Sequence, residues 1–222
     1  KIIFNSEWSK KQFLNDLQSF YHKSRKLEVI HQSINKKKVN LHKKEKLITF
    51  VGKLNSAKGY DIFGNAIIKI LNKYSDWKSL VIGDEAREKI YFKHRNLKNL
   101  GFQSHNKVLQ IFLKSSIAVA CSRWEEPFGR TSLEAASRGC AVIISNRGGL
   151  PETITNGIIL RSLSSQNLFD AIEKLIKDNK NLKYLQSQSI KNFYLTDKYA
   201  SNKIDNYRKD IIYNFNFSNI KK

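Results

Sequence analysis

The stretch IAVACSRWEEPFGRTSLEA, residues 117–135, contains the pattern that decides the fold. Ile117–Cys121 is a short, wholly apolar run of strand length, and Thr131–Arg138 is a helical segment of mostly small residues. Between them, Pro127 and Gly129 indicate a tight turn. A buried strand that turns directly into a helix is half of a βαβ unit.

The same alternation of strand and helix continues on both sides of this stretch. Apolar residues at helical spacing predict a helix over 58–73 and a shorter one around Val108–Leu113. The strand-like runs are continuously apolar, which is typical of a parallel sheet covered on both faces. We therefore predict an α/β fold with helices on both faces of a parallel sheet. The predicted strands are Leu47–Val51, Ser79–Ile82, Leu97–Phe102, Ile117–Cys121, Ala141–Ser145 and Gly157–Leu160.

The flanks of this central region differ from it in composition. All ten Gly and both Pro fall between residues 52 and 157, so the tight turns are concentrated there. The flanks are expected to be helical or extended, with a helical C-terminal tail. Their predicted elements are a helix at Trp8–Phe20, a strand at Leu27–Ile30, a linker at 35–46 and helices at about 165–177, 180–194 and 197–216.

Composition limits the class of protein. The 222 residues are 41% hydrophobic and 11% aromatic, which is enough to bury a core and excludes an intrinsically disordered chain. No apolar run approaches the ~18–20 residues that cross a bilayer, so we expect a soluble protein. Because the chain contains no Met, we expect that an N-terminal portion is missing. The two Cys lack CxxC spacing, which predicts reduced thiols, a cytosolic protein and no metal site.

The chain is strongly basic. It carries 40 Lys+Arg against 19 Asp+Glu, a formal net charge of +21, with the densest runs at Lys36–Lys38 and Lys43–Lys44. A basic surface attracts nucleic acid, anionic lipid or phosphorylated ligands. Solvated lysines without a specific partner are the further alternative, and charge alone leaves all of these open.

Ligands of an open parallel sheet bind where the strands end and the chain enters the following helices. The loop GKLNSAKG, residues 52–59, brings Lys53 and Lys58 to the start of a helix. Two ammonium groups and free helix N–H donors suit a diphosphate. The loop is not a Walker loop, because the Gly-Lys-Ser/Thr ending is absent. Solvated lysines remain the alternative.

Two further loops combine acids with glycines. Glu126 and Glu134, separated by seven residues, lie before and within the helix of residues 131–138. Carboxylates accept hydrogen bonds from vicinal hydroxyls, so the pair favours sugar or ribose recognition, unless the two acids serve only as helix caps or dipole partners. RGGLPE, residues 147–152, has paired glycines with exposed N–H groups, which indicates contact with a ligand. The other two loops hold Gly83–Asp84 and Gly101–Gln103.

Several polar residues have no predicted role in ligand binding or catalysis. The acids Asp84 and Glu85 beside a phosphate site are unexpected, and solvent exposure is the only explanation the sequence offers. The histidines have no metal-ligand spacing and lie in no predicted site loop, so all are expected to be structural or on the surface. They are His22, His31, His42, His94 and His105.

Taken together, the GKLNSAKG loop, the WEEPFG…LEA segment and RGGLPE resemble the C-terminal, Rossmann-like domain of GT-B glycosyltransferases, closest to the retaining family 4. The resemblance covers residues 45–195 in the correct order. It implies that 1–45 are the end of an N-terminal domain and a linker, 46–195 the nucleotide-sugar-binding domain, and 196–222 a helix returning to the first domain. The implied activity is transfer of a hexosyl-type sugar, with retention, in polysaccharide biosynthesis.

The resemblance also implies roles for individual residues. Lys53 and Lys58 would act on the donor diphosphate, Glu126 on the transferred sugar and Glu134 on the ribose hydroxyls. Lys53 stands where the family usually has Arg, so the charge is kept but the bidentate fork is lost. The other implied donor-binding residues are Gly52, Phe102, Gln103, Phe128, Gly129, Arg130, Thr131, Gly148, Gly149 and Glu152.

The implied mechanism uses neither a cofactor nor a metal, because the lysines and helix N–H groups stabilise the departing nucleoside diphosphate. The implied partners are a nucleotide sugar, a glycan or lipid-linked acceptor and the N-terminal domain, without which the chain is expected to be inactive. It is expected to be cytoplasmic, with possible peripheral contact to an anionic membrane, and no nucleic acid is expected. Alternatives are a non-catalytic sugar-nucleotide-binding module, a GT-B-like epimerase, or a basic domain that binds nucleic acid or anionic membranes.

Overall fold

A computed structural model describes residues 2–16 and 27–220 of the chain, with side chains up to residue 213. These residues form eight strands and seven α-helices. The elements are β1 (Ile2–Phe4), α1 (Glu7–Asp16), β2 (Leu27–Val29), β3 (Glu45–Val51), α2 (Tyr60–Lys73), β4 (Lys78–Ile82), β5 (Leu97–Asn99), α3 (His105–Lys114), β6 (Ser115–Ala120), α4 (Arg130–Ser137), β7 (Ala141–Ser145), β8 (Ile158–Leu160), α5 (Ser165–Lys177), α6 (Asn179–Lys191) and α7 (Asp197–Ile220), with 3-10 turns at Leu41–Lys43 and Leu150–Thr153.

Six strands form one parallel sheet in the order β5-β4-β3-β6-β7-β8. The chain enters this sheet at the central strand β3, moves outward through β4 and β5, and then returns to the other side of β3 with β6. The strand order therefore reverses between β3 and β6. In open parallel sheets, the crevice at the carboxyl ends of such a strand pair is where ligands bind.

Both faces of this sheet are covered, because successive strand residues point to opposite sides. On β7, Ala141 and Ile143 pack into a core with α2 and α5, while Val142 and Ile144 pack into a second core with α3 and α4. This arrangement is why the strand sequences are continuously apolar. The predicted α/β fold, a Rossmann-like parallel sheet with helices on both faces and a helical C-terminal tail, is confirmed.

The start of α2 ties two site loops together. Gly59 has a left-handed backbone with φ of 72°, and a Cβ atom there would lie 1.9 Å from the carbonyl oxygen of Cys121. Only glycine allows this approach between the loop after β3 and the end of β6. From there the helix buries one apolar face, which includes Phe63, Ile67 and Ile70.

Three details differ from the sequence prediction. The strand predicted at Leu97–Phe102 ends at Asn99, because Gly101 adopts φ of 63° and turns the chain. Strand β1 was not predicted, since three residues are too short for a periodic signal; it pairs in parallel with β2. The first helix begins at Glu7 and is described to Asp16, and the rest of its predicted range lies outside the described residues.

None of the described helices is both long enough and apolar enough to cross a bilayer.

Candidate functional site

Six of the sequence-predicted site residues line one small cavity of about 80 Å³ at the carboxyl ends of β3 and β6. The cavity therefore lies at the reversal of the strand order. A larger groove of about 970 Å³ lies at the opposite edge of the sheet and contains none of the predicted site residues. We place the candidate site at the smaller cavity, because its position follows from the topology. The six residues are Gly52, Lys58, Glu126, Gly129, Arg130 and Thr131.

The centre of the site is an ion pair between Lys58 and Glu126, which joins the loop after β3 to the loop after β6. The two side chains are partly buried, with exposed fractions of 32% and 14%. Asn55 holds the lysine end, because its Oδ1 accepts a hydrogen bond from the Lys58 amide at 3.0 Å. The pair places a cation and an anion side by side at the mouth of the cavity.

The loop containing Lys58 is held from behind by acids of the segment after β4. Asn55 Nδ2 donates to Glu85 Oε2 at 2.9 Å, and the Ser56 amide donates to Glu88 Oε2 at 2.8 Å. The hydrogen bond from Arg87 holds the pKa of Glu85 down to about 2. The expectation that Glu85 is only a solvent-exposed acid is wrong, because its side chain is 6% exposed and accepts a hydrogen bond from Asn55 in the loop that contains Lys58.

A second ion pair fastens the loop after β6 to α2. Both guanidinium nitrogens of Arg123 donate to the Asp61 carboxylate at 2.6 Å, and Arg123 also donates to the Ser56 carbonyl. These hydrogen bonds lower the pKa of Asp61. A bidentate pair is rigid as well as attractive, so the two site loops are set at a defined separation.

Glu134 lies one turn into α4 and is almost buried, with 7% of its side chain exposed. Its Oε1 accepts two hydrogen bonds, from Arg130 Nε at 2.9 Å and from His105 Nε2 at 2.9 Å. His105 is expected from the sequence to be structural or on the surface; its side chain is half exposed and contacts Glu134, a predicted site residue. The sequence contained a weak signal for it, because His105 starts the helix that follows the Gly101–Gln103 loop.

The glycine loop RGGLPE packs against the loop that carries Glu126. The Gly148 amide donates to the Glu125 carboxylate, and the Gly149 amide donates to the Glu126 carbonyl at 2.6 Å. A Cβ at Gly148 would lie 2.2 Å from the Glu126 carbonyl oxygen. In this structure, both amides thus serve to shape the Glu126 loop.

Glu152 makes its contacts with the N-terminal segment. Its carboxylate accepts hydrogen bonds from the amides of Glu7 at 2.7 Å and Trp8 at 2.9 Å, which are the first N–H groups of α1. His31 Nε2 lies 2.9 Å from the same carboxylate, so this histidine, which was expected to be structural or on the surface, contacts a predicted site residue. Nearby, Ser6 Oγ donates to the Pro127 carbonyl at 2.5 Å.

The other predicted residues lie around the cavity without lining it. Phe102 is 77% exposed at the end of β5, and Gln103 donates to the Leu100 carbonyl at 2.7 Å. The Phe128 side chain is buried in the core, which leaves only its backbone to face a ligand. Lys53 is exposed and forms no ion pair with another residue of the described ranges.

Within 2–16 and 27–220, no three His, Cys, Asp or Glu side chains are grouped so as to hold a metal ion. Both cysteines are buried and unpaired with each other, and burial raises the pKa of Cys121 to about 12.

Comparison with known protein families gives one match that spans most of the chain. The model of the family described as glycosyl transferases group 1 matches residues 31–192. Among curated proteins, the chain is 28% identical over 193 residues to spore coat protein SA of Bacillus subtilis, covering 78% of this chain and 51% of that protein. It is 26% identical over 188 residues to the uncharacterised glycosyltransferase MJ1607 of Methanocaldococcus jannaschii, covering 80% and 46%. The chain spans about half the length of these relatives.

Solved structures agree on the fold. The C-terminal domain of the group 1 glycosyl transferase LpcC from Francisella tularensis is 28% identical, with a TM-score of 0.59 over 67% of this chain and 84% of that one. Anabaena HepE, solved in complex with UDP, has a TM-score of 0.81 at 19% identity and covers 94% of this chain and 63% of its own. At that identity, the second likeness shows the fold alone.

Proposed function

Because the chain belongs to the glycosyl transferases group 1 family, we propose that it is the donor-binding part of a glycosyltransferase. The proposed reaction transfers a sugar from a nucleotide-diphosphate sugar to a glycan or lipid-linked acceptor, with retention of configuration. The observation that carries the proposal is the Lys58–Glu126 pair at the strand-order reversal. A cation for the diphosphate and an acid for the sugar are adjacent there.

We propose that the diphosphate lies between Lys58 and the start of α4. The first N–H groups of a helix have no intrahelical partner and carry partial positive charge, so Arg130 and Thr131 amides beside the cavity favour an anion. Lys53 on the same loop would add a second ammonium group. As the sugar–phosphate bond breaks, negative charge grows on the departing nucleoside diphosphate, and these fixed cationic groups stabilise it. In this proposal the chain's own cations take the place of a metal or other cofactor.

In this proposal, the carboxylates of Glu126 and Glu134 accept hydrogen bonds from hydroxyl groups of the ligand. Glu126 is held beside Lys58, so it would accept hydrogen bonds from the sugar next to the diphosphate. Glu134 lies one helical turn beyond Arg130, so it would accept from the ribose on the other side. The amides of Phe128 and Gly129 would contact the phosphate or sugar, and Phe102 and Gln103 would lie at the base. The contacts of Gly148, Gly149 and Glu152 support a role for these residues in shaping the site.

The test is calorimetric titration of this chain with UDP, GDP and ADP, each in EDTA and in Mg²⁺. We expect micromolar-to-millimolar binding of one nucleotide, weakened at least tenfold in Lys58→Ala and in Glu134→Ala. Lys46→Ala is the matched control, because Lys46 also pairs with an acid, Asp76, but at the opposite edge of the sheet. Absence of binding by the folded chain, or equal binding by all variants, would contradict the proposed donor site.

A non-catalytic sugar-nucleotide-binding module would give the same titrations. The two are separated by joining the chain to the N-terminal half of a group 1 relative and measuring sugar transfer from the nucleotide sugar identified above. Transfer that is lost in Glu126→Gln, while nucleotide binding is kept, supports the enzyme. Product with inverted configuration would overturn the proposed retention.

The net charge of +21 supports one addition to this proposal, that the protein contacts an anionic membrane surface. Sedimentation with vesicles of phosphatidylglycerol and phosphatidylcholine at low and high salt tests this. We expect binding that is lost at high salt. No binding at low salt would remove the membrane contact, and steep salt-dependent binding to an oligonucleotide would favour the nucleic-acid alternative.

A further inference from the structure

His105 and Glu134 come from different elements and meet beside the proposed donor site. His105 is the first residue of α3, and Glu134 lies on α4, 29 positions later in the chain. The ring nitrogen Nε2 is 2.9 Å from Oε1 of the carboxylate. A carboxylate only accepts hydrogen bonds, so the histidine donates in this contact.

The two oxygens of Glu134 are in different situations. Oε1 accepts from both His105 and Arg130, whereas Oε2 accepts no hydrogen bond from any residue within the described ranges. Oε2 is also not one of the fully buried polar atoms that lack a hydrogen bond in those ranges, so it retains some exposure to solvent. The carboxylate is therefore fixed through one oxygen and offers the other to an incoming donor.

The burial of Glu134 gives this arrangement a physical consequence. A nearly buried carboxylate that could rotate would pay the cost of ordering each time it bound a hydroxyl, and it would lose hydrogen bonds to Oε1 while rotating. Two donors at Oε1 remove this freedom before any ligand arrives. His105 is half exposed, with 51% of its side chain accessible, so the core does not need it for packing.

We propose that His105 is a positioning residue that orients Glu134 for the hydroxyls of a ribonucleoside diphosphate. This inference rests on the proposed function, since it assumes that Glu134 faces the ribose. It extends the proposal to ligand class: the site distinguishes a ribonucleotide from a 2′-deoxyribonucleotide through an oxygen whose orientation His105 sets. His105 itself contacts the carboxylate and not the ligand.

The experiment measures the affinity of matched ribo- and deoxyribonucleotides: UDP and dUDP, GDP and dGDP, ADP and dADP. For the base that binds, we expect the ribonucleotide to bind about tenfold tighter in the native chain, the value of one hydrogen bond to a charged group. In His105→Ala, we expect the ribonucleotide affinity to fall to that of the deoxyribonucleotide, which itself stays unchanged. His105→Gln restores a side-chain N–H donor and is expected to restore most of the preference.

His42→Ala is the matched control, because His42 is an exposed histidine in the turn before β3, at the other edge of the sheet. It is expected to leave both affinities as in the native chain. If the role of His105 is purely structural, His105→Ala would weaken the binding of both nucleotides equally. A preference for the ribonucleotide that survives in His105→Ala would overturn the inference. If the native chain binds a nucleotide without any ribose preference, the role of Glu134 and this inference fall while the donor site stands. If it binds none of the six, the proposed function fails first.

Discussion

Glu152→Gln is expected to loosen α1 from the rest of the protein without unfolding the sheet. The carboxylate of Glu152 accepts the amides of Glu7 and Trp8 and faces His31, at 2.7, 2.9 and 2.9 Å. The amides belong to the first turn of α1, where a backbone N–H has no acceptor within its own helix. The protection of the Trp8 amide from solvent exchange therefore depends on this single side chain.

The size of the effect follows from these contacts. Glutamine keeps one acceptor oxygen but turns an NH₂ group toward a donor, so at least one hydrogen bond to a charged group is lost, worth about 1.5–3 kcal/mol. Loss of a negative charge at the start of α1 adds about 0.3–1 kcal/mol. Because the Glu7 contact is exposed, we take the lower part of this range, about 2 kcal/mol, for the contacts between Glu152 and α1. That corresponds to about 30-fold faster exchange at Trp8.

The assay is native-state hydrogen exchange followed residue by residue by NMR. The amide of Ile143 in β7 reports on the sheet, and Asp170→Asn is the control, because the described hydrogen bond of Asp170 is with Gln166 on the same exposed face of α5. We expect faster exchange at Glu7 and Trp8 in Glu152→Gln and unchanged exchange at Ile143. Unchanged exchange at Trp8 would show that Glu152 does not hold α1. An equal acceleration at Ile143 would show that the contact supports the whole fold and not this helix alone.

Three further predictions concern the packing and the charges of the fold. Gly59→Ala is expected to cost at least about 2 kcal/mol in urea unfolding, because left-handed strain of about 1–2 kcal/mol adds to a Cβ 1.9 Å from a carbonyl oxygen. Gly101→Ala, which is also left-handed but meets nothing within 4 Å, is expected to cost only the strain, and equal losses would refute the clash. Lys44→Met is expected to cost about 3 kcal/mol in the same assay, because it removes the ammonium donor from three backbone carbonyls at 2.7–2.8 Å, two of which keep only the weak thiol donor of Cys140 at 3.3 Å; a loss below about 1 kcal/mol would mean that water replaces the ammonium group. Glu173 has its pKa lowered from 4.5 to about 2, chiefly by the hydrogen bond from Lys73, so its stabilisation is present above pH ~4.5 and is lost as the pH falls toward 2. Glu173→Gln is therefore expected to lower the melting temperature more at pH 7 than at pH 2.5, and an equal decrease at both would contradict the lowered pKa.

Much of the fold could be predicted because its signals are local. The strand predicted at Ala141–Ser145 has the same bounds in the structure, since four consecutive apolar residues that lead into a polar turn favour a short buried strand. The helix that contains Glu134 was predicted within one residue at each end, from Gly129 and the small residues that follow. The parallel orientation of the strands, and the position of the candidate ligand loops at the strand ends, then followed from the alternation of strand and helix.

The partners of the candidate site residues could not be predicted in this way. The contact between His105 and Glu134 spans 29 positions, and that between His31 and Glu152 spans 121. Neither histidine lies in a recognisable motif, and the local signal is weak: His105 starts the helix after the Gly101–Gln103 loop. The acids at 85 and 88 gain their role only because β4 lies beside β3, which brings the following segment behind the Lys58 loop.

The sequence by itself determined the α/β class, the six strands of the large sheet and their intervening helices, the segments that carry Lys58, Glu126 and Glu134, and the resemblance that the family match bears out. Each of these depends on residue types at short, regular spacing, where backbone geometry dictates the outcome. Only the tertiary structure decided that Lys58 pairs with Glu126, that Glu152 accepts the first amides of α1, and that a histidine contacts Glu134. These contacts depend on strand order and helix packing, because hydrogen bonds act over about 3 Å of space regardless of separation along the chain.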